Sequence, residues 1–146
     1  MRKKLCVIGG GRWGENHIRT LFQMGNLAGI VETNSQRMGE LLEKYPVQGF
    51  TQIDDAIQQE FDGYILATPA ETHYPVGRKL LKSGLNILIE KPLALSSKHS
   101  RELLEIAGRT KARLMVGHLL LFHPAIRKIK EIIDSGKYSL YPVYED

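Results

Sequence analysis

Residues 5–14 read LCVIGGGRWG, in which a short apolar run is followed at once by a cluster of glycines. Gly9, Gly11 and Gly14 fit the pattern G-x-G-x-x-G. In that pattern the first glycine permits a tight turn, the second lets a pyrophosphate approach the backbone, and the third lets a helix pack closely against a strand. The residues before the loop are typical of a buried strand and those after it of a helix. The loop therefore predicts a dinucleotide-binding site with the phosphates at a helix N-terminus.

An acidic residue stands where such a site binds the adenosine ribose. Glu32 follows a second apolar run, residues 27–31, and lies 18 positions beyond Gly14. A carboxylate there accepts hydrogen bonds from the ribose hydroxyls and repels a 2′-phosphate, which favours NAD over NADP. The plainer alternative is a polar loop residue. NADP stays possible because Arg37 could reach a 2′-phosphate, although an exposed helix residue is the preferred interpretation of its position.

Short apolar runs alternate with longer amphipathic segments along the chain. The runs cover residues 5–8, 27–31, 64–67, 87–89 and 114–116. Segments with helical spacing cover residues 13–24, 34–42, 75–81, 96–108 and 126–136. Such short apolar runs are typical of strands buried on both faces. The alternation predicts an α/β fold, a doubly wound and mainly parallel sheet with helices on both faces, which is the Rossmann fold. One further strand is predicted over residues 140–144, at an edge because of Pro142.

The composition is that of an ordinary globular domain, with 42% hydrophobic residues, 25% charged residues and a formal net charge of +4. The basic residues are scattered rather than gathered in a stripe, so no nucleic-acid partner is expected. The single cysteine, Cys6, excludes a disulfide framework and fits the reducing cytoplasm. No apolar run is long enough for a signal peptide or a membrane span. The five histidines lack metal-site spacing, so no metal is expected.

Reactive side chains follow the ends of the later apolar runs. Thr68 and Pro69 follow the third run, Glu90 and Lys91 the fourth, and His118 the fifth. The carboxyl ends of parallel strands lie at one edge of a sheet, where open α/β folds bind ligands. Lys91 is the predicted catalytic residue, because a lysine near a nicotinamide can orient a substrate hydroxyl or act as its acid or base. A surface lysine at a strand end is the alternative.

Four local patterns together resemble the N-terminal domain of the Gfo/Idh/MocA oxidoreductases. They are the glycine loop with its Trp13-Gly14 ending, Ala67-Thr68-Pro69 with His73, Glu90-Lys91-Pro92, and Gly117-His118 with Phe122-His123-Pro124. The matches run in the family's order over essentially the whole chain. The resemblance implies a nicotinamide cofactor and hydride transfer on a sugar, polyol or related secondary alcohol. It also implies the catalytic role for Lys91.

The resemblance further implies which residues surround the ligands. Cofactor-binding residues would include Arg12, Trp13, Thr68, Pro69, His73, Glu90 and Lys91, and His118 would join Lys91 on the substrate side. Glu90 is expected to orient Lys91 or contact the nicotinamide ribose, or else to form an ordinary salt bridge. For His73 the preferred interpretation is capping or packing at the start of a helix, whereas for His118 a structural role is an equal alternative. We hypothesise a cis Lys91–Pro92 bond. His17 and His99 are expected on exposed helix surfaces.

The expected domains are a dinucleotide-binding domain over residues 1–123 and a last helix and strand over residues 124–146. In the family that segment leads to a second, substrate domain, whereas this sequence ends at Asp146. It is therefore either a piece of a longer enzyme or a short protein with a different task. With half an active site, we expect cofactor binding without efficient turnover. Apolar surface on the C-terminal segment predicts a homo-oligomer.

Two other functions share parts of this pattern. A non-catalytic NAD(H)-binding or sensing module, acting with a partner chain, needs the glycine loop and Glu32 but not Glu90-Lys91-Pro92. A methyltransferase would use a glycine loop for S-adenosylmethionine, but the complete loop and the later Glu-Lys-Pro triplet disfavour it. The glycine loop and Glu32 predict a nicotinamide-cofactor site, and the resemblance implies an NAD(P)-dependent oxidoreductase acting on CH–OH groups, with the non-catalytic module as the alternative.

Overall fold

The computed structural model describes residues 2–136, which contain a sheet of six parallel strands. The strands are β1 (Leu5–Ile8), β2 (Leu27–Val31), β3 (Gln48–Phe50), β4 (Gly63–Leu66), β5 (Ile87–Ile89) and β6 (Leu114–Val116). Their order across the sheet is β3-β2-β1-β4-β5-β6. The chain winds outward from β1 in one direction and then from β4 in the other. This order confirms the predicted doubly wound Rossmann fold.

Helices connect the strands and are fixed at their ends by the local sequence. They are α1 (Arg12–Met24), α2 (Ser35–Lys44), α3 (Ile53–Ile57), α4 (Ala70–Lys82), α5 (Ser97–Thr110) and α6 (Pro124–Asp134), with a 3₁₀ turn at Leu119–Phe122. Asn34 and Ser96 cap α2 and α5, because their side-chain oxygens accept backbone N–H bonds of the first turn. Gly25, with φ of 68°, ends α1 in the left-handed conformation and turns the chain into β2.

The hydrophobic core lies on both faces of the sheet, because successive side chains of a strand point in opposite directions. One face packs strand residues against α1 and α2 through Val7, Ile18, Leu21, Ile30, Met38, Leu41 and Ile65. The other packs them against α4 and α5 through Cys6, Ile8, Tyr64, Leu66, Leu80, Leu81, Ile89, Leu103 and Ile106. With both faces covered, the free positions for polar groups are at the ends of the strands. The carboxyl ends carry the side chains singled out above.

One strand and one α-helix of the fold are absent from the sequence prediction. The strand β3 pairs with β2 at the edge of the sheet, and its Gln48 and Gly49 are exposed. An edge strand with one covered face needs no continuous apolar run, so the criterion that found the other strands missed it. The helix α3 has only five residues, too few to show a helical period.

Other boundaries differ from those predicted. The helix α4 begins at Ala70 rather than at Pro75, which lies inside it. Pro75 has no N–H to donate to the carbonyl oxygen of Glu71. Both residues are exposed, so that oxygen can be hydrated instead. The helix α5 continues past Gly108 to Thr110 and ends at Lys111. Met115 of β6 is half-exposed, because β6 is an edge strand rather than one buried on both faces. The strand predicted over residues 140–144 lies outside the described residues.

A candidate dinucleotide-binding cleft

The glycine loop joins β1 to α1, and at two of its positions a side chain would collide with backbone atoms. Gly9 has φ of 97°, and a Cβ there would lie 2.7 Å from the carbonyl oxygen of Ala67. A Cβ on Gly14 would lie 1.8 Å from the carbonyl oxygen of Gly9, so α1 can approach β1 this closely only with glycine. By contrast, no heavy atom lies within 4 Å of a Cβ on Gly11. The backbone at Gly11 is thus open to a ligand at the positive end of α1.

Backbone N–H groups hold the carboxylate of Glu32 in place. Gly10 donates to Oε2 at 2.7 Å and Asn34 donates to Oε1 at 2.9 Å. Each carboxylate oxygen has a second lone pair, so the group can still accept bonds from hydroxyls in the cleft. The hydrogen bond from Gly10 to Glu32 joins the glycine loop to the end of β2. The predicted phosphate-binding and ribose-binding parts of the cofactor site are therefore held next to each other.

The expectation that Arg37 is an exposed helix residue is wrong. Its side chain is 27% exposed, and its Nε donates to the carbonyl oxygen of Gly10 at 2.9 Å. It also pairs with Glu15 at 2.5 Å and Glu40 at 3.0 Å. The hydrogen bond from Arg37 lowers the pKa of Glu15, and the same bond raises the pKa of Arg37. Arg37 therefore links α2, α1 and the glycine loop.

A cleft of about 540 Å³ extends along the carboxyl ends of the central strands. The predicted residues that line it are Gly9, Gly11, Arg12, Trp13, Glu32, Thr68, Pro69, His73, Glu90 and Lys91. Gly14 is buried behind the loop and shapes the cleft without lining it. His118 lies outside it. The topology thus gathers most of the predicted residues in a space large enough for a substantial part of a cofactor, while their individual roles stay predictions.

His73 connects the loops that follow β4 and β5. Its ring is buried, with Nδ1 2.7 Å from the carbonyl oxygen of Pro92 and Nε2 2.8 Å from that of Thr68. These contacts with two backbone carbonyl oxygens favour the packing interpretation, although the residue also borders the cleft. The hydroxyl of Thr68 lies 2.6 Å from that of Thr72, which donates to the carbonyl oxygen of Pro69. Thr68 must then donate to Thr72, which leaves its oxygen lone pairs as possible acceptors.

Three elements converge on the carboxylate of Glu90, which is 7% exposed. Nε2 of His17, on α1, lies 2.8 Å from Oε1, and the backbone N–H of Lys91 donates to Oε2 at 3.2 Å. Gly117, after β6, is so close that a Cβ there would lie 2.8 Å from Oε2. Glu90 is thus anchored between α1 and the ends of β5 and β6.

The expectation that His17 lies on an exposed helix surface is wrong, because its side chain is only 22% exposed and contacts Glu90. The signal was available: His17 is next to Ile18 and three residues after Gly14, on the face of α1 that meets the sheet. The expectation that His99 lies on an exposed helix surface is also wrong. It is partly buried and stacks on Tyr74, with ring centroids 3.8 Å apart, at the packed surface between α4 and α5.

Lys91 lies between the cleft and a second, apolar pocket. The residues lining that pocket are Lys91, Gly117, His118, Leu119, Leu120, Leu121 and Ile126. Lys91 is therefore shared by both spaces. The Lys91–Pro92 bond is cis, as hypothesised from the sequence. His118 is exposed and lies on the apolar-pocket side of Lys91.

Neither a metal cluster nor a membrane-spanning helix is found in the part of the chain that the structure describes. Over residues 2–136, no three histidine, cysteine or acidic side chains come close enough together to bind a metal ion. Over the same residues, every helix is too short or too polar to cross a bilayer.

Comparison with known families agrees with the geometry of the cleft. The model of an oxidoreductase family with an NAD-binding Rossmann fold matches residues 3–118, which include the glycine loop and every predicted site residue. The chain belongs to the Gfo/Idh/MocA oxidoreductase family. The resemblance noted in the sequence is thereby confirmed, and the matched part is the NAD-binding domain of the Gfo/Idh/MocA proteins.

Individual Gfo/Idh/MocA relatives are similar along most of this chain. A UDP-N-acetylglucosamine 3-dehydrogenase from Acidithiobacillus ferrooxidans is 30% identical over 86% of this chain and 40% of its own length. An inositol 2-dehydrogenase from Corynebacterium glutamicum is 31% identical over 92% of this chain and 42% of its own. The crystal structure of GenD2 from gentamicin A biosynthesis, in complex with NAD, has a TM-score of 0.83 at 28% identity, over 90% of this chain and 38% of that one. The chain spans about two fifths of these relatives' length.

Proposed function

We propose that this chain is the cofactor-binding part of a dehydrogenase that transfers a hydride between NAD and a secondary alcohol of a sugar, polyol or related compound. The observation that carries the proposal is the position of Lys91, which borders both the cleft and the apolar pocket. Alcohol oxidation removes a hydride from carbon and a proton from the attached oxygen. A proton-exchanging side chain between a cofactor site and a second pocket suits that reaction.

The cofactor would lie along the carboxyl edge of the sheet. Glu32 accepts hydrogen bonds from the adenosine ribose with the lone pairs that Gly10 and Asn34 leave free. The pyrophosphate binds where Gly11 leaves the backbone open at the N-terminus of α1. Lys91 would then be the residue at the nicotinamide end of the cleft. This order follows the sequence of strand ends across the sheet.

Side chains of this protein would accept and return the proton of the substrate hydroxyl. Bound NAD supplies the hydride acceptor. Lys91 hydrogen-bonds the substrate hydroxyl, takes its proton as the carbon–oxygen double bond forms, and returns it in the reverse reaction. Glu90 holds the backbone of Lys91 through the 3.2 Å hydrogen bond and is itself held by His17. His118 would contact the substrate from the apolar-pocket side of Lys91.

The names of the relatives support the proposed substrate class. Dehydrogenases of inositol and of UDP-N-acetylglucosamine are both about 30% identical to this chain. Each of those compounds carries secondary hydroxyls on a six-membered ring. We therefore propose a cyclic polyol or a sugar as the substrate, and cofactor binding with little turnover for the 146 residues by themselves.

The experiment that tests the cofactor assignment is calorimetric titration of the chain with NAD⁺, NADH, NADP⁺ and NADPH. We expect NAD(H) to bind and NADP(H) to bind much more weakly. Glu32→Ala should weaken NAD⁺ binding by about tenfold, the effect of losing a charge-assisted hydrogen bond. Glu105→Ala, at an exposed position on α5, serves as the control. A folded sample that binds none of the four cofactors contradicts the proposal.

A second measurement separates the enzyme from a non-catalytic module. NADH formation is measured with myo-inositol and with UDP-N-acetylglucosamine as substrates. Wild type and Lys91→Met are compared, both for these 146 residues and for any longer form of the protein that binds NAD⁺. Substrate-dependent NADH formation that Lys91→Met removes supports the dehydrogenase. If NAD⁺ binds but Lys91→Met changes neither turnover nor substrate binding, the module that senses or binds NAD(H) is favoured.

We further propose that the chain acts in the cytoplasm, has no nucleic-acid partner, and self-associates through its C-terminal segment. A buried free cysteine, Cys6, suits a reducing compartment. Several of the scattered basic residues of the chain form ion pairs with acidic side chains, which supports the absence of a nucleic-acid partner. The 3₁₀ turn and α6 have no buried residue, and they expose Leu119, Leu120, Leu121, Phe122, Ile129, Ile132 and Ile133. Light scattering at high concentration tests the assembly, and a clean monomer contradicts it.

A further inference from the structure

The guanidinium group of Arg37 is engaged on three sides. Its Nε donates to the carbonyl oxygen of Gly10 at 2.9 Å, and its terminal nitrogens lie 2.5 Å from Glu15 Oε2 and 3.0 Å from Glu40 Oε2. An arginine near the end of β2 is the type of residue that accommodates the 2′-phosphate of NADP in Rossmann domains. Here that arginine is held against the back of the glycine loop.

The peptide units around Gly10 connect Arg37 to the ribose end of the cleft. The N–H of Gly10 donates to Glu32 Oε2 at 2.7 Å, while its carbonyl oxygen accepts from Arg37. The carboxylate and the guanidinium therefore flank the same residue. A phosphate on the ribose hydroxyl held by Glu32 would lie within reach of a released Arg37 side chain.

We propose that Glu15 is a second cofactor-specificity residue, which disfavours NADP by holding Arg37 away from the 2′-phosphate. This inference rests on the proposed function, in which Glu32 binds the adenosine ribose. Glu32 acts by direct repulsion, whereas Glu15 acts through Arg37. Glu15 is the stronger holder than Glu40, since its contact is shorter and its side chain is 28% exposed against 48%.

The local charges favour the same conclusion. Glu15, Glu32 and Glu40 contribute three negative charges near Arg37, and Lys44 lies 3.4 Å from Glu15. A 2′-phosphate adds up to about two negative charges and must displace Glu15 before it gains the arginine. Replacing Glu15 by glutamine weakens the competing acceptor, because the charge assistance is lost, and removes one repelling charge, so NADP should benefit much more than NAD.

The test is the ratio of the Kd for NADP⁺ to the Kd for NAD⁺, measured calorimetrically on the full chain. The proteins are wild type, Glu15→Gln, Arg37→Met and the double variant, with weak NADP⁺ binding measured by displacement of NADH. A purely structural role of Glu15 changes both affinities together and leaves the ratio constant. We expect Glu15→Gln to lower the ratio of the two Kd values about fivefold. Arg37→Met should not lower that ratio, and the double variant should return it to the wild-type value.

Several outcomes overturn the inference separately from the proposed function. With NAD⁺ binding intact, a constant ratio in Glu15→Gln does so, as does a lowered ratio that persists in the double variant. Wild type that fails to bind NAD⁺ overturns the proposed function and the inference with it.

A matched control separates the contact from net charge. Glu102→Gln breaks a similar pair with Arg78, 2.8 Å apart between α5 and α4, and changes the charge equally at a site that does not line the cleft. We expect it to leave the ratio unchanged. An effect as large as that of Glu15→Gln would show that overall charge, rather than Arg37, sets the preference.

Discussion

Gly14 and Gly39 are both glycines inside helices, but an alanine would meet opposite surroundings at the two positions. A Cβ on Gly14 would lie 1.8 Å from the carbonyl oxygen of Gly9, whereas nothing lies within 4 Å of one on Gly39. We expect Gly14→Ala to push α1 away from β1, lower the free energy of unfolding by about 3 kcal/mol and abolish NAD⁺ binding. Urea denaturation and calorimetry measure the two effects.

Gly39→Ala is the control, because it makes the same substitution in the exposed middle of the neighbouring helix α2. It should raise the free energy of unfolding by about 0.5–1 kcal/mol, since alanine has the higher helix propensity. Wild-type NAD⁺ affinity in Gly14→Ala would contradict the view that close packing of α1 on β1 shapes the phosphate site.

His17 satisfies a carboxylate that is almost out of contact with water. Glu90 is 7% exposed, and without the histidine its described partner is the backbone N–H of Lys91. We expect His17→Ala to lower the free energy of unfolding by about 1–3 kcal/mol, the cost of leaving a buried polar group short of partners. His118→Ala, at an exposed histidine, should change it by less than about 0.5 kcal/mol. Urea denaturation at neutral pH measures both.

A double-mutant cycle assigns that cost to the contact between the two side chains. If His17 acts through Glu90, the substitution His17→Ala should cost less when Glu90→Gln is already present. An equal cost in the two backgrounds would mean that His17 stabilises the fold by packing on α1 alone.

A residue shortly after α4 and the residue that follows α5 both adopt the left-handed conformation, but one is a glycine and the other a lysine. Gly84, after α4, has φ of 73°, and Lys111, after α5, has φ of 59°. The left-handed conformation costs a side-chain-bearing residue about 1–2 kcal/mol, partly offset by the flexibility that glycine loses on folding. We expect Lys111→Gly to raise the free energy of unfolding by about 0.5–1 kcal/mol and Gly84→Ala to lower it by about 1 kcal/mol. Thermal or urea denaturation measures both; changes of the same sign would contradict the expectation.

The elements that could be predicted from the sequence are those whose signal is local. Buried strands such as β1 and β2 are short continuous apolar runs, and the loop between β1 and α1 needs glycines at fixed places. The strand β3 could not be found in this way, because Gln48 and Gly49 are exposed at the edge of the sheet and carry no apolar signal. Its position depends on pairing with β2, which is a tertiary contact.

The same division holds within the candidate site. Strand ends can be read from the sequence, so the cleft-lining positions of Glu32, Thr68 and Lys91 could be anticipated. The contacts of Arg37 with Gly10 and of His17 with Glu90 join residues far apart in sequence. They depend on which helix face meets which strand end, and a charged or polar residue on an amphipathic helix does not reveal that by itself.

At the scale of the whole molecule, strand order determines the cleft. The first strand, β1, lies between β2 and β4, and β5 follows β4. Loops that are well separated in sequence therefore leave the same edge of the sheet side by side. Cys6 of β1 and Tyr64 of β4 are register partners within this central pair, and both are buried. The stability of the cleft is thus coupled to groups in the centre of the core.

That coupling predicts a loss of stability at alkaline pH. Burial raises the pKa of Cys6 from 9.0 to about 12 and that of Tyr64 from 10.0 to about 12. Above about pH 9 the unfolded chain releases the Cys6 proton while the folded chain keeps it, so the free energy of unfolding falls by about 1.4 kcal/mol per pH unit, and more steeply once Tyr64 also titrates. Urea denaturation across this range should show the fall.

Two variants assign the fall to its groups. Cys6→Ala should be less stable at every pH but should flatten the decrease in the free energy of unfolding between about pH 9 and 10. Tyr64→Phe should flatten that decrease only above about pH 10. An unchanged slope in Cys6→Ala would mean that Cys6 is not the group whose burial sets the alkaline limit.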